Sequence, residues 1–129
     1  MSPTNLTLSL LADNFSICRL GPEESIPPWA LAEEFFSITR TKEELSLVCS
    51  QEVVPHGVQS EAGWRCLMVH GPLGFSMTGI LASLTTSLAE VGISIFAIST
   101  FDTDYLLVKA DNLKRAIVKL KEAGHDVMY

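Results

Sequence analysis

The chain has 129 residues, of which 47% are hydrophobic and 19% are charged, so it can bury the core of one domain or of two very small ones. Its formal net charge of −6 argues against a nucleic-acid partner, because phosphates would be repelled. There is no apolar run of about eighteen residues, and the first residues lack the basic start of a signal peptide. We therefore expect a cytoplasmic protein that does not bind a membrane.

The cysteines and histidines do not form a metal-binding pattern. Each cysteine lies in an apolar, strand-like run, and their odd number is typical of buried free thiols in a reducing cytoplasm. No cysteine pair has metal-ligand spacing, and the histidines are scattered along the chain. We therefore expect neither a metal nor a cofactor. The residues concerned are Cys18, Cys49, Cys66, His56, His70 and His125.

The first half of the chain predicts strands and little helix. Leu6–Leu11 and Phe15–Leu20 are apolar runs separated by an Asp-Asn pair, and we expect them to form a hairpin. A pair of prolines then forbids a long helix, so the Pro28–Leu31 stretch is expected to form only a helical turn.

The second half predicts a complete βαββαβ pattern. Apolar residues at helical spacing predict a helix from about Thr78 to Val91, ended by Gly92. A second helix is capped by Asp111 or Asn112 and stops at Gly124. This is the order of the ferredoxin-like fold, a sheet with two helices on one face. The predicted strands are Trp64–His70, Ile93–Thr100, Tyr105–Ala110 and Asp126–Tyr129.

The first half also contains a weaker copy of the second. Phe35–Val48 can be laid over Ile95–Val108 without gaps at a constant offset of 60 residues, and Glu44 then falls on Asp104. We predict an α+β fold with two ferredoxin-like units, of which the N-terminal one is degenerate. The units form an antiparallel sheet with the helices on one face. Their bounds are residues 1–61 and 62–129.

Two segments of the second unit have the chemistry for a ligand site. The loop Gly71–Ser76 leads into a helix N-terminus, where free N–H groups and the helix dipole favour a carboxylate. Ser76 and Thr78 are candidate caps directed at the same space. In the turn before the third strand, Asp104 or Asp102 can accept a hydrogen bond from an ammonium group. We expect the loop and the turn to meet only where partner chains or neighbouring domains align them.

The same residues also allow purely structural interpretations. Asp104 can hold the backbone of its own turn, and Phe101 can serve a partner interface. The glycines can serve close packing of helix and strand. The residues alone leave these alternatives open.

The sequence resembles a known family in these segments. The pattern GFSMTGIL at Gly74–Leu81 and the turn STFDTD resemble the ACT domain, a small regulatory module that binds amino acids or other small metabolites. With FFSITRTKEELSLVC and GISIFAISTFDTDYLLV, the chain resembles small tandem ACT-domain proteins, which are related to the ACT repeats of a cytosolic arginine sensor. The resemblance implies a ligand site formed by Gly74, Phe75, Ser76, Thr78, Gly79, Ile80, Thr100, Phe101 and Asp104.

This resemblance implies a non-enzymatic regulatory protein that binds an amino acid at a domain or subunit interface. It also implies a homodimer and a separate protein effector. One alternative is a structural or interaction module without a ligand. Another is an acylphosphatase-like hydrolase, which is disfavoured because such an enzyme needs an arginine in the loop HGPLGFS, and that loop has none.

Overall fold

The computed structural model describes residues 5–70 and 79–129, which form strands and two helices as the predicted α+β class requires. The strands are β1 (Thr7–Leu10), β2 (Phe15–Leu20), β3 (Ser37–Arg40), β4 (Leu45–Ser50), β5 (Gln59–Val69), β6 (Ile95–Ser99), β7 (Asp104–Lys109) and β8 (Asp126–Met128). The helices are α1 (Ile80–Ala89) and α2 (Leu113–Glu122). Neither of these described helices is long and apolar enough to cross a membrane.

The elements fall into two compact units. The smaller unit comprises Asp13–Trp64, and the larger unit comprises the described parts of Met1–Ala12 and Arg65–Tyr129. The boundary crosses β5, so each unit contains part of that strand. The predicted division into 1–61 and 62–129 concerns the sequence repeat and stays a prediction. The compact units differ from it in placing β1 with the C-terminal residues.

The sheet of the larger unit has the strand order β6-β7-β5-β1-β8. Strand β1 runs antiparallel to β5, with Leu8 opposite Val69, and parallel to β8, with Leu8 opposite Val127. The predicted hairpin between Leu6–Leu11 and Phe15–Leu20 is therefore wrong. The sheet is mixed rather than antiparallel throughout, because β1 pairs with β5 in the antiparallel direction and with β8 in the parallel direction.

Both helices of the larger unit pack on one face of this sheet, as predicted. Helix α1 buries a residue at every fourth position, and the strands contribute alternate residues to the same cluster. Leu6 and Leu8 of the N-terminal segment complete this cluster, which explains why β1 pairs here. The buried residues are Leu6, Leu8, Leu67, Val69, Ile80, Leu84, Leu88, Ile93, Leu106, Val108, Ala116, Leu120 and Val127.

Both helices end as the sequence predicts. Gly92 and Gly124 have φ values of 75° and 99°, a left-handed conformation that glycine adopts without steric cost. At each end, the residue after the glycine donates its N–H to a carbonyl five residues earlier, at 3.1 and 3.0 Å. The predicted cap of α2 is only partly right. Asn112 occupies the cap position, but its side chain accepts a bond from Arg115 Nη1 at 3.1 Å and does not cap the helix.

The smaller unit is an antiparallel sheet with the strand order β3-β4-β2-β5. As predicted, the prolines permit only a short 3₁₀ turn, at Pro28–Leu31. Its core consists of a small cluster against which Trp29 packs. The buried residues of that cluster are Cys18, Ala30, Leu45, Leu47 and Cys49.

All three cysteines are free and buried, as predicted. Burial raises the pKa of the Cys66 thiol to about 12, so this thiol is protonated at neutral pH. A protonated and buried thiol is a weak nucleophile. Cys66 therefore acts as a small hydrophobic residue of the larger unit.

His125 is a buried histidine that follows α2 and is hydrogen-bonded to Leu6, the residue before β1. Its Nδ1 accepts a hydrogen bond from the Leu6 N–H at 3.1 Å, so the neutral ring has its proton on Nε2. The residue is 3% exposed, and this burial lowers the pKa of the imidazole. Protonation would place a charge in the core and remove the acceptor for Leu6.

We expect His125 to make stability depend on pH. The contribution of His125 to the free energy of unfolding is complete above the ordinary imidazole pKa of about 6.5. It falls as the pH drops below that value, because the unfolded chain then binds more protons than the folded chain. Urea unfolding at about pH 7.5 and about pH 5 measures this loss. His125→Asn keeps an acceptor near the Nδ1 position and cannot titrate. This variant should lose less stability on acidification, and an equal loss in both proteins would contradict the assignment.

Candidate functional site

The turn between β6 and β7 brings together three of the predicted site residues, Thr100, Phe101 and Asp104. Asp104 is the first residue of β7 and lies opposite Ser99, the last residue of β6. The Ser99 hydroxyl donates to Asp104 Oδ1 at 2.6 Å. The half-buried carboxylate is therefore held by one oxygen and has a second oxygen with which to accept hydrogen bonds.

Threonine side chains shape this turn in the absence of glycine. The Thr100 N–H donates to the Thr103 carbonyl at 2.8 Å, and the Thr103 N–H donates to Thr100 Oγ1 at 3.2 Å. These bonds satisfy the backbone of a four-residue loop, as serine and threonine commonly do in turns. Phe101 and Asp102 lie exposed at the tip, with 78% of the Phe101 surface accessible.

The turn is attached to the C-terminal end of β5. The Thr103 hydroxyl donates to the Val69 carbonyl at 2.6 Å, and this bond is buried. Strands β5 and β7 are neighbours in the sheet of the larger unit, so its own topology brings the turn to the end of β5. The expectation that the loop Gly71–Ser76 and this turn meet only where partner chains or neighbouring domains align them stays a prediction, because that loop lies outside the described residues.

The start of α1 presents the other described part of the predicted site. Gly79 precedes the helix with a φ of 76°, and the Ser83 N–H donates to its carbonyl at 2.8 Å. The Ile80 side chain is buried in the same cluster as Val69, so only the backbone of Ile80 is left for a ligand. Four predicted site residues lie outside the described residues: Gly74, Phe75, Ser76 and Thr78.

The hairpin of the smaller unit corrects the predicted repeat alignment. There the Thr41 N–H donates to the Glu44 carbonyl at 2.8 Å, just as Thr100 bonds to Thr103. The offset between the turns is thus 59 residues rather than 60, since Thr41 matches Thr100. Glu44 matches Thr103, and the position of Asp104 is taken by the fully buried Leu45. The smaller unit therefore has no acidic counterpart of Asp104 in its turn.

Ser99 and Thr103 belong to the candidate site through their hydrogen bonds, and the sequence did not predict either residue. A four-residue loop places Ser99 directly opposite Asp104. The register of the hairpin therefore indicates that the Ser99 side chain can contact Asp104. The role of Thr103 depends on the neighbouring strand β5, for which no local signal exists. Just past β5, the His70 ring is hydrogen-bonded to the Ser9 hydroxyl of β1.

Comparison with known proteins shows the family. A sequence model of the ACT domain matches residues 59–122, which include β5, α1, β6, β7 and α2. The chain belongs to the ACT-domain family. A second match, described as an N-terminal domain, covers residues 13–57 within the smaller unit.

A curated relative of this ACT-domain protein is the Rattus norvegicus "Cytosolic arginine sensor for mTORC1 subunit 1". It is 37% identical over an alignment of 105 residues, and the match covers 75% of this chain and 30% of the relative. The chain thus spans less than a third of the length of that relative.

Two solved structures share the fold. Protein Atu0741 from Agrobacterium tumefaciens is 40% identical, with a TM-score of 0.93 over 98% of this chain and 94% of that chain. The Vibrio cholerae protein VC0802 is 24% identical, with a TM-score of 0.75 over 92% of this chain and 90% of that one. The second likeness shows the fold alone.

Proposed function

We propose that this protein is a non-enzymatic regulatory protein that binds a free amino acid between the turn Ser99–Asp104 and the start of α1. The observation on which this proposal depends is the Asp104 carboxylate, which Ser99 orients beside a turn that Thr103 attaches to the end of β5. We further propose that the protein acts in the cytoplasm and signals through a separate protein.

Asp104 has the chemistry to bind the ammonium group of the ligand. Its Oδ1 already accepts a hydrogen bond from the Ser99 hydroxyl, so we propose that Oδ2 accepts the hydrogen bond from the ligand ammonium. A charge-assisted bond of this kind contributes about 1.5–3 kcal/mol in a partly dry site. The side chain is half-buried, which reduces competition from water.

The start of α1 has the chemistry to bind the carboxylate of the ligand. The first N–H groups of a helix have no acceptor within the helix, and the helix dipole favours an anion there. Gly79 has no side chain to cover these groups, and no atom of the described residues beyond its chain neighbours lies within 4 Å of where its Cβ would be. We assign Gly74, Phe75, Ser76 and Thr78 to the same site as predictions.

An amino acid is the ligand class that satisfies both ends of this site, since it has an ammonium group and a carboxylate on the same carbon. The curated relative is named as an arginine sensor, and arginine is therefore included among the ligands to test. The binding of small molecules by ACT domains supports the same class.

The first test is a thermal-shift panel of the common amino acids, followed by calorimetric titration of any that stabilise the protein. A ligand at a hundred times its Kd should add about 2.7 kcal/mol to the free energy of unfolding. Asp104→Asn keeps an acceptor for Ser99 but removes the charge. The Kd should rise about tenfold to about a hundredfold, as expected for the loss of a charge-assisted bond.

The matched control is Glu44→Gln, which removes one carboxylate from the corresponding turn of the smaller unit. Glu44 is equivalent in the turn to Thr103 and not to Asp104, so this variant should bind like the wild type. The proposal fails if no amino acid stabilises the folded protein, or if Asp104→Asn binds as tightly as the wild type. In the first case, a module without a ligand becomes the better interpretation.

We also propose that the protein forms a homodimer through β6. Among the described strands, β6 pairs with β7 and lies at the end of the strand order of the larger unit. Its sequence, IFAIS, contains no charge and no proline, which are the features that usually block pairing at an edge. A second copy of β6 related by a two-fold axis can pair with it.

A charge on β6 should prevent this pairing. Ala97 is exposed in the middle of the strand, and we expect Ala97→Lys to convert a dimer into a monomer in light-scattering measurements of mass. Val118→Lys places the same charge on α2, where Val118 is 56% exposed, and should leave the dimer intact. A monomeric wild type would contradict the proposal, and so would a dimeric Ala97→Lys variant.

A further inference from the structure

Thr103 differs from its neighbours in the turn. Phe101 and Asp102 are exposed, whereas Thr103 is 8% exposed and its hydroxyl makes a buried hydrogen bond of 2.6 Å to the Val69 carbonyl. The bond joins residues 34 positions apart in the sequence. The corresponding residue of the smaller unit, Glu44, has no hydroxyl to donate. The hydrogen bond through a Thr103 hydroxyl is therefore a feature of the turn before Asp104 and not of the equivalent turn in the smaller unit.

The acceptor of this bond is firmly held. Val69 is the last residue of β5, its side chain is fully buried in the core of the larger unit, and it lies opposite Leu8 of β1. The Thr103 backbone is held in turn by Thr100, whose N–H and hydroxyl both donate to the Thr103 carbonyl, at 2.8 and 3.1 Å. A short chain of hydrogen bonds thus connects the core to the turn.

We infer that Thr103 is a positioning residue of the ligand site. Its hydroxyl fixes the turn against the end of β5 and thereby fixes the next residue, Asp104, which receives the ligand ammonium. Without the hydroxyl, the hydrogen bond to the Val69 carbonyl is lost and the turn can move relative to the strand. Pre-organisation of this kind strengthens binding, because the ordering is already complete before the ligand arrives. This inference rests on the proposed amino-acid site.

Two substitutions of Thr103 distinguish the effect of the hydroxyl group from the effect of the side-chain shape. Thr103→Val has nearly the same shape but no hydroxyl, and Thr103→Ser keeps the hydroxyl. We expect Thr103→Val to weaken amino-acid binding about tenfold by calorimetry, which corresponds to about 1.4 kcal/mol, and Thr103→Ser to restore most of it. Equal binding by Thr103→Val and the wild type would overturn the inference.

A control must distinguish positioning from a general loss of stability. Leu120→Val removes a methylene group from a fully buried side chain of α2 in the same core without touching the turn. This variant should lower the melting temperature but leave the Kd unchanged. If Leu120→Val weakens binding as much as Thr103→Val does, the effect is one of stability and the inference is wrong.

Amide hydrogen exchange tests Thr103 without a ligand. The Thr100 N–H bonds to the Thr103 carbonyl, so a loosened turn should exchange this proton faster in Thr103→Val than in the wild type. If the wild type binds no amino acid, the proposed function fails, and faster exchange still supports the anchoring of the turn by Thr103. Unchanged exchange at Thr100 would overturn that anchoring even if an amino acid binds.

Discussion

The larger unit depends on the pairing of β1 between β5 and β8. Leu8 is fully buried and lies opposite Val69 on one side and Val127 on the other. Without β1, both neighbouring strands would present unpaired backbone groups as open sheet edges. The Leu6 N–H also bonds to His125 at the end of α2. One short strand, distant in sequence from its partners, therefore closes the core on which the proposed ligand site is built.

The elements with local signals could be predicted, but the partner of β1 could not. Helices α1 and α2 follow from the spacing of their buried residues, and their ends follow from Gly92 and Gly124. A strand has no comparable signal for its partner, because its alternation of apolar and polar residues suits any sheet with one buried face. β1 would suit a hairpin equally well. Its true position follows from the cluster that Leu6 and Leu8 complete.

The candidate site shows the same division between local and distant signals. The sequence shows that Asp104 follows a turn rich in hydroxyl groups, and this placement is confirmed. It does not show that the matching turn is displaced by one residue, which puts the buried Leu45 where an acid was expected. It also cannot show the role of Thr103, because the acceptor of its hydroxyl lies on another strand.

The β6–β7 hairpin connects the proposed ligand site with the proposed dimer edge. Ser99 is the last residue of β6, and its hydroxyl holds the Asp104 carboxylate, which we propose binds the ligand ammonium. If the ligand binds the dimer more tightly than the monomer, dimerisation strengthens ligand binding by the same factor, because coupling free energies are reciprocal. A ligand with equal affinity for both states would shift neither equilibrium. Regulation through this hairpin therefore requires pairing at β6 to change the position of Asp104, and the Ser99 hydroxyl is the group through which such a change would pass.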